Sequence, residues 1–412
     1  MVKVRKMSKN KERKTILNAE IGRNYKQKCY NVCCKGGNRM NILEEKTKDL
    51  DTIYPHTENK IKYIKEYVKL WLNVSVNTKV VKNINFIDCM CNAGIYQNGI
   101  LGTPTEILKL FCEYAPYHQN IKFNLFVNDI NEERITIIKA IFEEQTNYKE
   151  ISNIYVYFSN KDVNEYIDTL ANLDSYFNYE ARAFTILFVD PYRFGDVKIR
   201  KLNSFLTKFR SELIYNYFIS DYRRNINNNY AETKQQMMIE SMEGIEGYSS
   251  DMDGDQLLEV LKKSFESTKI SYTFAYPFHI KNNAQLYYIL YGTPHIKGIE
   301  KIKECIWNVF DGNPKYRTKK DENQMTLFTS EFQQESNENL YSREAIERVL
   351  NVFKGKEISY KELEEYVILN TMLNSSHIIR KIIRPLILEE KIEKCNIKGK
   401  SNYKEDRYIF QE

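Results

Sequence analysis

Five short apolar runs, each separated from the next by a helix-like stretch, constrain this chain more than any other feature of its sequence. They are "NINFID" ending at Asp88, "IKFNLFVND" at Asp129, "NIYVYF" at Phe158, "AFTILFVD" at Asp190 and "SELIYNYF" at Phe218. Each has strand length and is rich in Ile, Val, Phe or Tyr. Strands that alternate with helices predict a parallel sheet joined by right-handed crossovers. Ahead of the first run, "HTENKIKYIKEYVKLWL" repeats Ile61, Ile64, Val68 and Trp71 at spacings of three and four, the period of a helix with one apolar face. Two later runs, "ISYTFAYPF" and "AQLYYILYG", predict an antiparallel edge pair, after a polar helical insertion near 220–268 that ought to flank the site. The expected fold class is α/β, a Rossmann-like sheet with helices on both faces.

Open parallel sheets bind ligands outside the carboxyl ends of their strands. Here those ends carry Asp88, Asp129, Asp162 just beyond the third run, and Asp190. Such a set suits a cationic, hydroxyl-rich ligand and repels a pyrophosphate, and no "GxxxxGK[ST]" phosphate loop is present. S-adenosylmethionine fits: Asp88 would face its ammonium, Asp129 its ribose hydroxyls and Asp162 its adenine amine. The turn "CMCNAG", with Asn92 and Gly94, would let backbone approach it. Each aspartate taken singly also reads as a turn residue or helix cap. In "GTPTEIL", Thr103 is the expected N-cap, with Pro104 first in the helix and Glu106 three residues on. Residues 94–102 are therefore expected to form a loop, with Tyr96 and Gln97 available to a substrate.

The string "FVDPYRFG" supplies the candidate methyl-acceptor residues Asp190, Pro191 and Tyr192. A carboxylate and the proline carbonyl can accept the hydrogens of an exocyclic amine while the aromatic ring stacks on the base, a task of orientation. A base inside a duplex would have to be flipped out. The plainer reading is an Asp-Pro turn at a strand end.

The chain has 412 residues, 42% of them hydrophobic, enough for more than one unit. The expected units are a basic arm over 1–50, the Rossmann-like domain over 51–311, a polar linker over 312–341 and a C-terminal unit over 342–412 opening at Ser342. In that last unit Ser359 and Glu362 form a capping-box signature. The helix "SSHIIRKIIRPLILEEK" and two short strands follow, predicting a winged helix with Arg380, Lys381 and Arg384 toward nucleic acid. Such modules also dock proteins, and Pro385 argues against a straight third helix. A formal net charge of +6 and the arm "MVKVRKMSKNKERK" point to phosphates, or to a solvated tail. No apolar run reaches membrane length and no signal peptide opens the chain, so a cytoplasmic location is expected. Eight cysteines are then expected to be reduced. Cys29, Cys33 and Cys34 cluster, but no fourth ligand lies nearby, and no metal is assigned.

"FIDCMCNAGIYQNGILGTPTEIL", "FVNDIN", "LFVDPYRFG" and the helix before them resemble the three-Cys-motif partner family over about Asp51 to Phe310. The resemblance implies a class I methyltransferase-like domain, S-adenosylmethionine as cofactor and a three-Cys-motif protein as partner. The family's Asp-x-Phe-Ala-Gly-x-Gly string is altered, with Met90 for the aromatic, Cys91 for alanine and Asn92 for the first glycine. Asparagine tolerates left-handed backbone, so the turn can survive. Two functions stay open. One is S-adenosylmethionine-dependent methylation of an amine, most plausibly on a nucleobase. The other is a noncatalytic nucleic-acid-binding or assembly subunit with a degenerate pocket. Metal-dependent hydrolysis is disfavoured, because the carboxylates sit on different strand ends with no ligand-spaced histidine.

Overall fold

The computed structural model describes residues 50–226, 232–279, 285–313, 336–395 and 405–411. The basic arm, Cys29, Cys33, Cys34 and most of the expected linker lie outside the described residues. Helix α1 (Pro55–Ser75) buries Ile61, Ile64, Val68 and Trp71, the stripe its spacing predicts. Strands β1 (Asn83–Asp88), β2 (Lys122–Asn128), β3 (Ile154–Ser159), β4 (Ala183–Val189) and β5 (Glu212–Tyr217) follow. Between them run α2 (Thr103–Tyr114), α3 (Glu132–Gln145), α4 (Val163–Leu170) and α5 (Ile199–Lys208). The insertion forms α6 (Ile219–Asn225), α7 (Glu232–Ser241) and α8 (Gly254–Glu266). Strands β6 (Tyr272–His279) and β7 (Gln285–Thr293) and helix α9 (Ile296–Phe310) complete this part.

The seven strands lie in the order β3-β2-β1-β4-β5-β7-β6. The first five are parallel, and β7 runs antiparallel to both β5 and β6. This is a Rossmann-like, class I methyltransferase-type sheet. Alternation along β1 divides the core: Ile84 and Phe86 pack with α1 and α2, whereas Ile87 packs with α4 and α5 on the other face. The polar residues within these strands find each other. Asn124 Nδ2 donates to Asn85 Oδ1 at 2.8 Å, and Asn85 Nδ2 to Thr185 Oγ1 at 3.0 Å, a buried polar chain across β2, β1 and β4 that satisfies these donors.

Two expected helix starts are displaced. Gly102, not Thr103, is the N-cap of α2, and no side chain caps it. Glu106 instead pairs with Lys65 of α1 at 2.5 Å. Gly102 suits that position because a Cβ there would sit 3.1 Å from the Gly94 backbone. The C-terminal unit opens on α10 (Asn337–Phe353), capped by Ser336, so its first turn falls within the expected linker. Ser342 lies inside that helix and donates to the Glu338 carbonyl at 2.5 Å.

Beyond α10, β8 (Glu357–Ser359) leads through the reciprocal Ser359 and Glu362 capping box into α11 (Tyr360–Asn370). Then come a helical turn α12 (Ser375–Ile378), a π-helical turn over Ile379–Ile383 and α13 (Arg384–Leu388). Pro385 stands just after the π turn, where the wider winding accommodates a residue with no N–H to give. Strands β9 (Ile392–Cys395) and β10 (Arg407–Phe410) join β8 in an antiparallel sheet of order β8-β10-β9. Among the described residues no helix is long and apolar enough to cross a membrane.

Candidate active site

The carboxyl ends of β1 to β4 open onto a cleft of about 680 Å³, within the usual range for a small-molecule site. Cys89 and Met90 line it beyond β1, Asp129 and Ile130 beyond β2, Asp162 and Val163 beyond β3, and Tyr192 and Arg193 beyond β4. Met237 and Glu240 of α7 close one side. Gly195 makes that closure possible, because a Cβ there would meet Met237 at 2.9 Å. Of the residues picked out from sequence, Asp129, Asp162 and Tyr192 line the cleft. Asp88, Asn92, Gly94, Asp190 and Pro191 do not.

The altered turn keeps a glycine-like shape. Asn92 has φ +55° and Gly94 φ +72°. Asn92 Oδ1 accepts from the next backbone N–H at 2.6 Å, a local bond that favours asparagine in this region. A side chain at Gly94 would meet Ile138 and Thr105 at 2.8 Å, so only glycine fits. The Asn92 N–H donates to Asp129 Oδ2 at 3.0 Å, and the Asn131 N–H to Asp129 Oδ1 at 2.9 Å. Asp129 thus ties the β1 turn to the β2 turn while facing the cleft. Asp162 caps α4, its Oδ1 accepting from Asn164 N at 2.8 Å, so the cap reading and the cleft reading hold together.

Asp88 is almost fully buried at 1% exposure. Its Oδ1 accepts from Met90 N at 3.3 Å, but its buried Oδ2 has no hydrogen-bond partner among the described residues. Burial, with the charges of Asp190 and Asp129, pushes this carboxyl well above the usual range, against the pull of the Met90 N–H and Lys60. Burial likewise raises the Cys89 and Cys91 thiols, which keeps them as inert packing groups.

No protein-family model matches the sequence, and no curated protein matches it; the three-Cys-motif resemblance therefore gains no support from either comparison. Solved structures with a similar arrangement include Trm1 from Pyrococcus horikoshii in complex with S-adenosyl-L-methionine, at 11% identity and TM-score 0.30 over 61% of this chain and 62% of that one. A class I S-adenosylmethionine-dependent methyltransferase from Listeria monocytogenes is similar at 10% identity and TM-score 0.28, over 56% of this chain and 59% of the other. The methyltransferase domain of bacterial CtHen1-C is similar at 10% identity and TM-score 0.28, over 57% of this chain and the whole of that domain. The chain spans about three fifths of the length of the first two.

Beside the cleft lies a second group of residues that the strand-end pattern does not reveal. Lys60, in the second turn of α1, reaches the end of β4, where its Nζ is 2.5 Å from Asp190 Oδ2. Asn216 of β5 donates from Nδ2 to Asp190 Oδ1 at 2.6 Å. Lys60 also lies 5.5 Å over the Tyr287 ring, and Tyr287 Oη donates to the His56 carbonyl at 3.3 Å. His56 is held neutral, its pKa lowered to about 4 by burial and by Lys60, against the pull of Asp190. Two signals were present in sequence. Asn216 interrupts an apolar strand, and His56 and Lys60 share a helix face at a spacing of four, next to the apolar stripe.

Arg134 of α3 bridges the cleft. Its Nη1 lies 3.8 Å from Asp129 Oδ2 and donates to Tyr192 Oη, and its guanidinium stands 5.4 Å from the Tyr192 ring. The expected stacking face of Tyr192 thus has a cation against it. Pro191 is buried. In the C-terminal unit, Arg380 and Lys381 both pair with Glu338 of α10, whereas Arg384 is exposed.

Proposed function

We propose that the chain is an S-adenosylmethionine-dependent methyltransferase acting on an amine, with a nucleobase as acceptor. The observation that carries this reading is the buried Oδ2 of Asp88, which has no hydrogen-bond partner among the described residues and is pressed upon by two further carboxylates. A buried carboxylate so placed calls for a cationic partner, and the ammonium of the cofactor is one. Asp129 would accept from the ribose hydroxyls and Asp162, through the oxygen not capping α4, from the adenine amine. When bound, the cofactor supplies a methyl group on a sulfonium. Asp190, fixed by Asn216 and Lys60, orients the acceptor amine with the Pro191 carbonyl, and Tyr192 meets the plane of the base once Arg134 yields its face.

The C-terminal unit, with its helix, strand, two further helical segments and a terminal strand pair, fits a winged helix that would present nucleic acid to the site. Arg384 is its candidate phosphate contact, since Glu338 already engages Arg380 and Lys381. A cysteine-motif partner belongs to the same proposal. The noncatalytic alternative is favoured by one observation, the Arg134 cation on the Tyr192 ring.

The test is transfer of a labelled methyl group to single-stranded and duplex nucleic acid. Wild type labels a base amine, and Asp190→Asn lowers the rate about 100-fold while leaving cofactor affinity nearly unchanged. Cofactor binding with no transfer to any base would favour the noncatalytic alternative.

A further inference from the structure

The acceptor group Asp190 does not stand alone. A buried Lys60 ammonium sits 2.5 Å from its Oδ2, and Asn216 holds its Oδ1. Each carboxylate oxygen has room for a second donor, and an ammonium has three hydrogens to give. The pair therefore offers an incoming molecule an acceptor and a donor side by side, one hydrogen-bond length apart.

We propose that Lys60 sets the acceptor class: with Asp190 it selects a neutral heteroaromatic amine whose neighbouring ring nitrogen accepts a hydrogen bond, as on cytosine or adenine, and rejects an aliphatic ammonium. The inference rests on the reading of Asp190 as the acceptor group. An amine of this kind donates to Asp190 while the ring nitrogen accepts from Lys60. A lysine side chain has no acceptor beside its ammonium and brings a second positive charge against a buried one. Thymine lacks the amine.

A cluster of rings adjoins Lys60, beginning with Tyr287, whose ring lies 5.5 Å from its Nζ. Tyr54, 60% exposed, lies against His56 at 5.6 Å with only 4° between the planes, and His56 meets the Tyr287 ring edge at 6.1 Å. The exposed Tyr54 ring is thus an aromatic surface two residues from His56 on which a base can stack regardless of sequence. His56 stays uncharged near neutral pH, so it adds no second cation beside Lys60.

The experiment titrates the full chain with short single-stranded oligo(dC), oligo(dA) and oligo(dT), with free deoxycytidine and with a lysine-containing peptide, following binding calorimetrically. Lys60→Met should weaken oligo(dC) and oligo(dA) about 5- to 150-fold and leave oligo(dT) unchanged, a contrast that neither lost phosphate attraction nor local misfolding produces. Lys60→Arg should recover most of the loss. Where Lys60→Met fails to fold, Lys60→Gln carries the same expectation. Deoxycytidine binding as tightly as oligo(dC) would identify a free nucleoside as the source of the base, with the selection rule intact. Equal losses on all three oligonucleotides, no loss on oligo(dC) and oligo(dA), no binding by wild type, or tighter binding of the peptide would each overturn the proposal. A separate titration with S-adenosylmethionine distinguishes this from failure of the methyltransferase reading, which alone predicts cofactor binding.

Discussion

At the scale of single residues, Asn92 decides whether the altered turn still works. With φ +55° and its own side chain closing on the following N–H, it holds the conformation a glycine would hold. Asn92→Gly should therefore change thermal stability by only a few tenths of a kcal/mol, whereas Asn92→Ala should cost about 1 kcal/mol; thermal unfolding reads both. Asp88 makes a sharper prediction. Its carboxyl is raised in the free protein, and a bound cation favours the ionised form, so cofactor binding should release a proton and tighten as pH rises. Calorimetry in buffers of different ionisation enthalpy measures that release, and Asp88→Asn should abolish it. The strand-end aspartates were legible because a carboxylate closing an apolar run is conspicuous. Lys60 was not, because its partner lies 130 residues away and only the packing of α1 on the sheet brings them together.

At the scale of elements, α1 is joined to the sheet by more than its apolar stripe. Tyr67 Oη donates to Glu212 of β5 and meets Tyr291 Oη of β7, and Thr293 Oγ1 donates to the same carboxyl at 3.3 Å. Burial pushes Glu212 up to about 7, against the pull of these hydroxyls. A carboxyl raised from its unfolded value contributes stability that is full below that value and is lost as pH rises through about 7. Wild type should thus lose on the order of 1–3 kcal/mol between about pH 5 and about pH 8, and Glu212→Gln should flatten that slope in pH-dependent melting curves. The strands and their type were readable from apolar run length, and the edge pair from its two aromatic runs. The helix starts at Thr103 and Ser342 were misplaced for the same physical reason: a serine or threonine caps only when the chain enters the helix at that point. Close approach of Gly94 moved one entry, and Ser336 supplied an earlier cap for the other.

At the scale of the whole molecule, the C-terminal unit is docked on α9 by a buried lysine, Lys303, whose pKa burial lowers to about 7. Lys303 is fully buried and donates to the carbonyls of Ile368 and Thr371 at the end of α11, while Trp307 Nε1 donates to the Met372 carbonyl at 3.1 Å. Lys303→Met would leave those carbonyls without their donor, at a cost of about 1–3 kcal/mol for each buried acceptor left unsatisfied, and calorimetric unfolding should separate into two transitions. The sheet order, with β1 between β2 and β4, brings Asp129 and Asp162 to the cleft and sets Asp129 and Asp190 near the buried Asp88; the sequence pattern predicted a parallel sheet but no strand order. The central claim is that this convergence forms a cofactor site. Titrating the full chain with S-adenosylmethionine in a calorimeter tests it most directly: one-to-one binding is predicted, weakened about 10- to 150-fold by Asp88→Asn as a charge-assisted bond is lost, and no binding, or equal binding by wild type and Asp88→Asn, would contradict it.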